Sequence, residues 1–312
     1  MSKELNFENA TIAVLGDYCL DEYLWIDAAL NEDSLETGLI AYQCTKRDIY
    51  PGAAGTIAKN LANLGVGKVY AVGYAGDDGR GFEMYRELGS LGINRDNLII
   101  AEDRITPAYT KPWITEKGET RELNRIDIKN YTPTPKELED AVLHKLMGLI
   151  GKIDALIIMD QMVEENCGII TDTMRAALAK IAKENPDLLM YVDSRCRINL
   201  FDGMIIKGNN YEIPPDTCQG LCKKNGKPVI CTLGANGVKI YNDDKVIEIP
   251  GIPLSGQIDV TGAGDMFTSA FVAALSIKMD MQEAGKLGNK AAAMCVQQLG
   301  TSGYVTAAHL YK

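Results

Sequence analysis

A chain of 312 residues, 46% of them hydrophobic, is long enough to bury one large core, and its net charge of −10 at pH 7 argues against nucleic acid or an anionic membrane as the main partner. Eight cysteines without CxxC spacing argue against a zinc ribbon or disulfide framework and for a reducing compartment, while the two histidines, His144 and His309, offer neither a triad nor a zinc set. The polar start, with Lys3, Glu4 and Glu8, does not read as a signal peptide, and no stretch reaches transmembrane length, so a cytoplasmic location is expected.

Residues 11–15 (TIAVL) predict a buried parallel strand that delivers Asp17 at its tip, with Asp21 four residues on. Residues 39–50 and 108–128 alternate and are rich in Thr, Tyr and charge, with Lys117-Gly118 as a turn. They predict one small antiparallel sheet, a lid drawn from about residues 37–50 and 106–128. Between them, residues 55–65 put Ile57, Leu61 and Leu64 on one helical face and close on a glycine. A strand at 68–73 and a helix at 81–91 begin a β-α rhythm. It continues with a helix at 134–150, a strand at 155–159 ending in Asp160, a helix at 171–183 and a strand at 188–192 ending in Asp193. A strand at 204–206 then runs into Lys207-Gly208-Asn209, and a strand at 229–232 precedes a hairpin at 238–249 and a last helix at about 282–299. This order predicts an α/β fold in three layers, a doubly wound, mainly parallel sheet with a small β lid, as one domain over 1–312. Its ligands would lie beyond the carboxyl ends of the strands, where Asp17, Asp160, Asp193, Asn209 and Thr232 fall.

One stretch carries chemistry: Asp259-Val260-Thr261-Gly262-Ala263-Gly264-Asp265, opening an apolar helix. Small residues let the amides of Gly262, Ala263 and Gly264 converge on an anion at a helix N-terminus. A carboxylate at that mouth would repel the ligand unless the chemistry needs a proton acceptor, which is the role expected of Asp265. Read alone, the string is also an ordinary glycine turn with a first-turn acid. No GxGxxG follows the first strand, and no Gly-Lys pair precedes Ser or Thr, so dinucleotide and Walker A loops are disfavoured.

The seven-residue string resembles the C-terminal signature of the ribokinase-like (PfkB) carbohydrate kinases, and DVTGAGD is how it reads in the heptose 7-phosphate kinase branch. Pro51-Gly52-Ala53-Ala54-Gly55, running to Asn60 and Leu64-Gly65, resembles their N-terminal PGGAA…N…LG signature. Gly16-Asp17 with Leu20-Asp21, Asn124-Arg125-Ile126-Asp127 and Leu299-Gly300-Thr301-Ser302 resemble heptose-kinase motifs in the same order. The resemblance implies an ATP-dependent kinase of a sugar or sugar phosphate. It assigns Asn209 and Glu212 (NxxE) to Mg²⁺ through water, and Thr232, Gly234 and Gly237 to a nucleotide loop. Asn289 is implied near the adenine or ribose. Asp17, Asp21, Gly52, Ala53, Ala54, Thr56 and Asn60 are implied at the sugar. Asp259 with residues 300–303 corresponds to a monovalent-cation (K⁺) site in some relatives, a structural role being equally open.

Departures fall on the sugar side. Ala53 and Thr56 stand where relatives carry a second Gly and an Asn, and Asp160-Gln161-Met162-Val163-Glu164 stands where heptose kinases read Asp-Tyr-x-Lys-Gly, so a tyrosine and a lysine are missing. Arg195 or Arg197 could supply the missing charge, or both could face solvent. A homodimer through the lid is expected from its open edges, and no room is seen for the nucleotidyltransferase domain that some heptose kinases carry. Two other readings stay open. One is a catalytically silent sugar- or nucleotide-binding regulatory module, against which Asp265 and NxxE speak. The other is a kinase of a nucleoside or vitamin alcohol, against which the Asp17/Asp21 pair favours a polyol.

Overall fold

The computed structural model describes residues 5–298 and 303–310. The chain enters through β1 (Thr11–Gly16), passes Asp17 and continues directly as β2 (Tyr18–Asp27). A two-residue ribbon, β3 (Glu32–Asp33) with β4 (Ile40–Ala41), leads to β5 (Cys44–Ala53) and α1 (Ala54–Asn63). Next come β6 (Lys68–Gly76), α2 (Gly79–Ser90), β7 (Asn94–Ala101), β8 (Ala108–Glu116), β9 (Glu119–Glu122) and β10 (Ile126–Ile128). Helix and strand then alternate through α3 (Lys136–Met147), β11 (Ala155–Asp160), α4 (Asp172–Glu184), β12 (Leu189–Ser194) and β13 (Ile205–Asn209). The remainder is α5 (Cys218–Asn225), β14 (Val229–Thr232), β15 (Val238–Asn242), β16 (Lys245–Ile249), α6 (Ala263–Ser276), α7 (Met281–Cys295) and α8 (Ala307–Leu310).

Nine strands form the main sheet in the order β16-β15-β14-β13-β12-β11-β1-β6-β7, parallel except for the antiparallel β14-β15-β16 edge. Alternation along β1 explains the layers: Ile12 and Val14 pack with Ile57, Leu61 and Phe271 of α1 and α6, whereas Ala13 and Leu15 pack with Val142 and Leu178 of α3 and α4. Burial of each such large side chain is worth about 1.5–3 kcal/mol. The two cores thereby fix the strand tips from which the site is built.

The lid differs from the expected two-piece antiparallel sheet. Its order is β10-β8-β2-β5 with β9 on β8, so β2 lies at its centre, antiparallel to β5 but parallel to β8. Leu20 and Glu22 lie on one face of β2 and are buried, and Tyr18, Tyr23 and Trp25 belong to this ten-residue strand. Lys117 and Gly118, both at positive φ, make the predicted β8-β9 turn. Several further elements were not expected, among them the short β3 and α8. The polar β7 forms the far edge of the main sheet, and α5 carries Cys218 and Cys222 as buried thiols.

Candidate active site

The strand tips and α6 bring the signature residues to one end of the sheet. Gly262 takes the left-handed conformation (φ 76°) that ends the loop, α6 starts at Ala263, and Asp265 sits in its first turn. The Asp259 carboxylate accepts from the Thr261 N–H at 2.9 Å, and the Ala263 N–H is held by the Val260 carbonyl at 3.3 Å, which shapes the loop before any anion arrives. Burial pushes the Asp265 carboxyl up to about 7, with Asp193 and Asp21 adding to the rise and Lys207 and Arg195 opposing it. A carboxylate titrating there is matched to accepting a proton near neutral pH.

On the nucleotide side, Asn209 and Glu212 close on each other. The Asn209 side-chain oxygen accepts from the Tyr211 and Glu212 amides at 2.8 and 3.0 Å, and one Glu212 oxygen accepts from the Asn209 N–H at 2.8 Å. The other, Oε1, stays at the mouth, 3.7 Å from the Arg195 guanidinium. Glu212 Oε1, the hard oxygen these bonds leave free, fits Mg²⁺ held through water, because the ion dehydrates reluctantly. Among the described residues no cluster of three or more His, Cys, Asp or Glu could hold a metal, so phosphate and water would complete its shell. Thr232 ends β14 with its hydroxyl 3.4 Å from the Gly208 carbonyl. Gly234 and Gly237 have positive φ, and a Cβ on Gly237 would meet the Ile249 carbonyl at 2.1 Å, so only glycine fits that turn. Asn289 donates from α7 to the Pro250 carbonyl at 3.0 Å, beside the same turn. Of residues 300–303, expected at a cation site with Asp259, 300–302 lie outside the described residues.

The residues expected at the sugar converge but are already engaged. The buried Asp17 carboxylate accepts from the Gln161, Met162 and Ile169 amides at 3.0, 3.1 and 2.8 Å, which leaves about one of its four lone-pair directions for a ligand. Burial nevertheless holds its carboxyl above the ordinary value. Asp21 pairs with Lys111 of the lid at 2.9 Å, and a Cβ on Gly52 would lie 2.9 Å from its other oxygen. Ala53 sits at φ 50°, ψ −115°, where relatives' glycine would be at ease, and the Ala54 N–H donates to the Asp17 carbonyl. The Thr56 hydroxyl donates to the Pro51 carbonyl at 2.8 Å, and the fully buried Asn60 amide has no hydrogen-bond partner among the described residues.

The two arginines separate. Arg197 donates to the Met162 and Val163 carbonyls at 2.7 Å each and faces Asp160, which fixes the loop after β11. Arg195 is half exposed, donates to the Gln161 side chain at 3.1 Å and faces Glu212, so its guanidinium stands at the mouth. Two lysines were missed by sequence reasoning. Lys111 reaches Asp21 across the lid, and Lys207, 5% exposed, pairs with Asp193 at 2.6 Å. Both carried a signal: Lys111 in an alternating lid strand, and Lys207 at a strand tip adjacent to the Asp193 tip.

Comparison with known proteins bears out the resemblance. Residues 215–307 match the profile of the pfkB family carbohydrate kinases. The fold is ribokinase-like: a ribokinase from Arabidopsis thaliana complexed with ribose and ATP superposes with a TM-score of 0.71 at 19% identity over 97% of each chain. A ribokinase from Thermotoga maritima gives 0.68 at 21% identity, over 97% of this chain and 98% of that one. In sequence, the chain is 25% identical over 306 residues to the bifunctional protein HldE of Sulfurimonas denitrificans, covering 93% of this chain and 61% of that protein. The chain thus spans about three fifths of the length of that relative.

Proposed function

We propose that the chain transfers the γ-phosphoryl group of MgATP to a hydroxyl of a sugar or sugar phosphate. The observation that carries this is Asp265, a carboxylate raised to about 7 in the first turn of a glycine-started helix, at the carboxyl ends of parallel strands. Phosphoryl transfer needs little covalent help and is accelerated by alignment and charge stabilisation. Asp265 accepts the proton of the attacking hydroxyl, and amides at the start of α6 face the charge on the transferring group. Asn209 and Glu212 hold Mg²⁺ through water, which neutralises phosphate charge. Thr232, Gly234, Gly237 and Asn289 border the nucleotide. Asp21 is the carboxylate with the most capacity left for acceptor hydroxyls, and Lys111 ties it to the lid. Closure of the lid would exclude water that otherwise hydrolyses ATP.

The acceptor we favour is already phosphorylated, in keeping with the resemblance to heptose 7-phosphate kinases. Arg195 supports this, since it offers a planar donor fork at the mouth in an otherwise acidic chain. The exposed start of β5 and the exposed Leu39, Ile40 and Tyr42 support a homodimer through the lid. No helix among the described residues is long and apolar enough to cross a membrane, and the free cysteines fit the cytoplasm. The test is ADP release from MgATP against a panel of phosphorylated and unphosphorylated sugars, nucleosides and vitamin alcohols. Release stimulated by a sugar or sugar phosphate is expected; stimulation only by the other classes, or by none, would overturn the proposal.

A further inference from the structure

We propose that Lys207 is the counter-ion that keeps Asp265 in its charged, proton-accepting form beside a second buried carboxylate, making it a positioning residue for the transfer reaction inferred above. Three observations converge. The parallel register of β12 and β13 places Asp193 directly opposite Lys207, and their side chains meet at 2.6 Å with 5% and 6% of their area exposed. A Cβ on Gly264 would come within 3.0 Å of the Lys207 ammonium, so the cation packs against the backbone residue immediately before Asp265. Thr268, on the next turn of α6, donates to the same Asp193 oxygen at 3.3 Å. The ion pair therefore lies under the first turn of the helix that carries the proposed base.

Charge makes this placement consequential. Asp193 from β12 and Asp21 from β2 face Asp265 as like charges, Cys19 of β2 and Cys295 of α7 lie within its field, and Lys207 and Arg195 are the opposing cations. Arg195 is half exposed and shared with Gln161 and Glu212, so solvent weakens its field, whereas Lys207 is buried. Two carboxylates sharing a dry site cannot both ionise without a cation, and one takes up a proton. The Asp193 carboxylate 2.6 Å away supplies the opposite charge that the buried Lys207 ammonium needs. A buried pair of this kind adds little net stability over an apolar pair, which leaves its effect on Asp265 as the consequence to test.

The experiment reads the Asp265 carboxyl directly in the free protein, by ¹³C NMR of Asp-labelled chain titrated from about pH 5 to about pH 9, with Asp265→Asn to assign the signal. Lys207→Gln should raise the titration of Asp265 by about one pH unit or more, and Asp193→Asn should lower it by about as much, because removing opposite halves of one ion pair has opposite electrostatic effects. Lys207→Arg, which keeps the charge, should leave it within about half a unit of wild type. A merely structural role would lower thermal stability in both charge-removing variants without opposed titration shifts. The proposal is overturned if Lys207→Gln and Asp193→Asn move Asp265 in the same direction or not at all. If Lys207→Gln does not fold, Asp193→Asn decides: a fall supports the proposal and no fall overturns it. No acceptor is needed, so failure of the kinase reading would show separately, as absence of acceptor-stimulated ADP release.

Discussion

The two ends of the proposed site are built differently. At the end proposed for phosphoryl transfer, the candidate residues lie in short contiguous strings: residues 259–265 lead into α6, and Asn209 to Glu212 fold onto themselves through reciprocal bonds to backbone. At the end proposed for the sugar, the groups come from the link between β1 and β2, from β2, β5, α1 and β8, and from the loops after β11 and β12, and most are already committed. Asp17 holds three amides, Thr56 bonds its own turn and Asp21 is paired. A site made from one loop keeps its chemistry when the rest of the chain drifts. A site assembled from many segments can change its ligand through any of them.

Substitutions can break this contrast. The largest effect is expected at the phosphoryl end: Asp265→Asn keeps shape but removes the base, so kcat should fall by ~10²-fold or more while MgATP binding, measured by calorimetry, is largely kept. Wild-type activity should rise with pH through about 7, since the base must be deprotonated. The sign for stability is opposite. A carboxyl raised on folding contributes stability that is present at low pH and lost as pH rises through its folded value, so Asp265→Asn should gain melting temperature over wild type as the buffer moves from about pH 5 to about pH 8.

At the sugar end, Arg195→Ala should weaken a phosphorylated acceptor by roughly 1–3 kcal/mol and leave an unphosphorylated analogue nearly unaffected. Equal loss for both would point to damage to the fold or lid. Lys111→Met should raise the acceptor KM by about tenfold with the ATP KM unchanged, because it releases Asp21 from the lid without touching the nucleotide side. The smallest effect sharpens the contrast from the side of stability. Ala53→Gly relieves a positive φ that relatives' glycine tolerates, a gain of about 0.5–1 kcal/mol after the glycine's own entropy, seen as a melting temperature higher by about one to three degrees.

The same contrast governs what could be read in the sequence. The signature loop, NxxE and the order of strands were legible because each is local. The β2 strand was not, because Asp21 and Glu22 interrupt the apolar run that would mark it; both of its faces are buried near its start, Cys19 and Tyr23 on one and Leu20 and Glu22 on the other. Lys207 escaped because an ammonium in a buried strand makes sense only once Asp193 stands opposite it. The commitment of Asp17 to the loop at 161–169 could not be seen, since its partners are backbone amides about 145 residues away in sequence. Contacts to backbone carry no side-chain signature.

The central claim, that these two ends together make a phosphotransferase onto a sugar hydroxyl, is tested most directly by ³¹P NMR of MgATP incubated with the acceptor panel and either wild-type protein or Asp265→Asn. A new phosphomonoester signal appearing with ADP in the wild type, and suppressed in the variant, is the predicted result. ATP consumed only to inorganic phosphate, or a phosphomonoester formed equally well by Asp265→Asn, would contradict it.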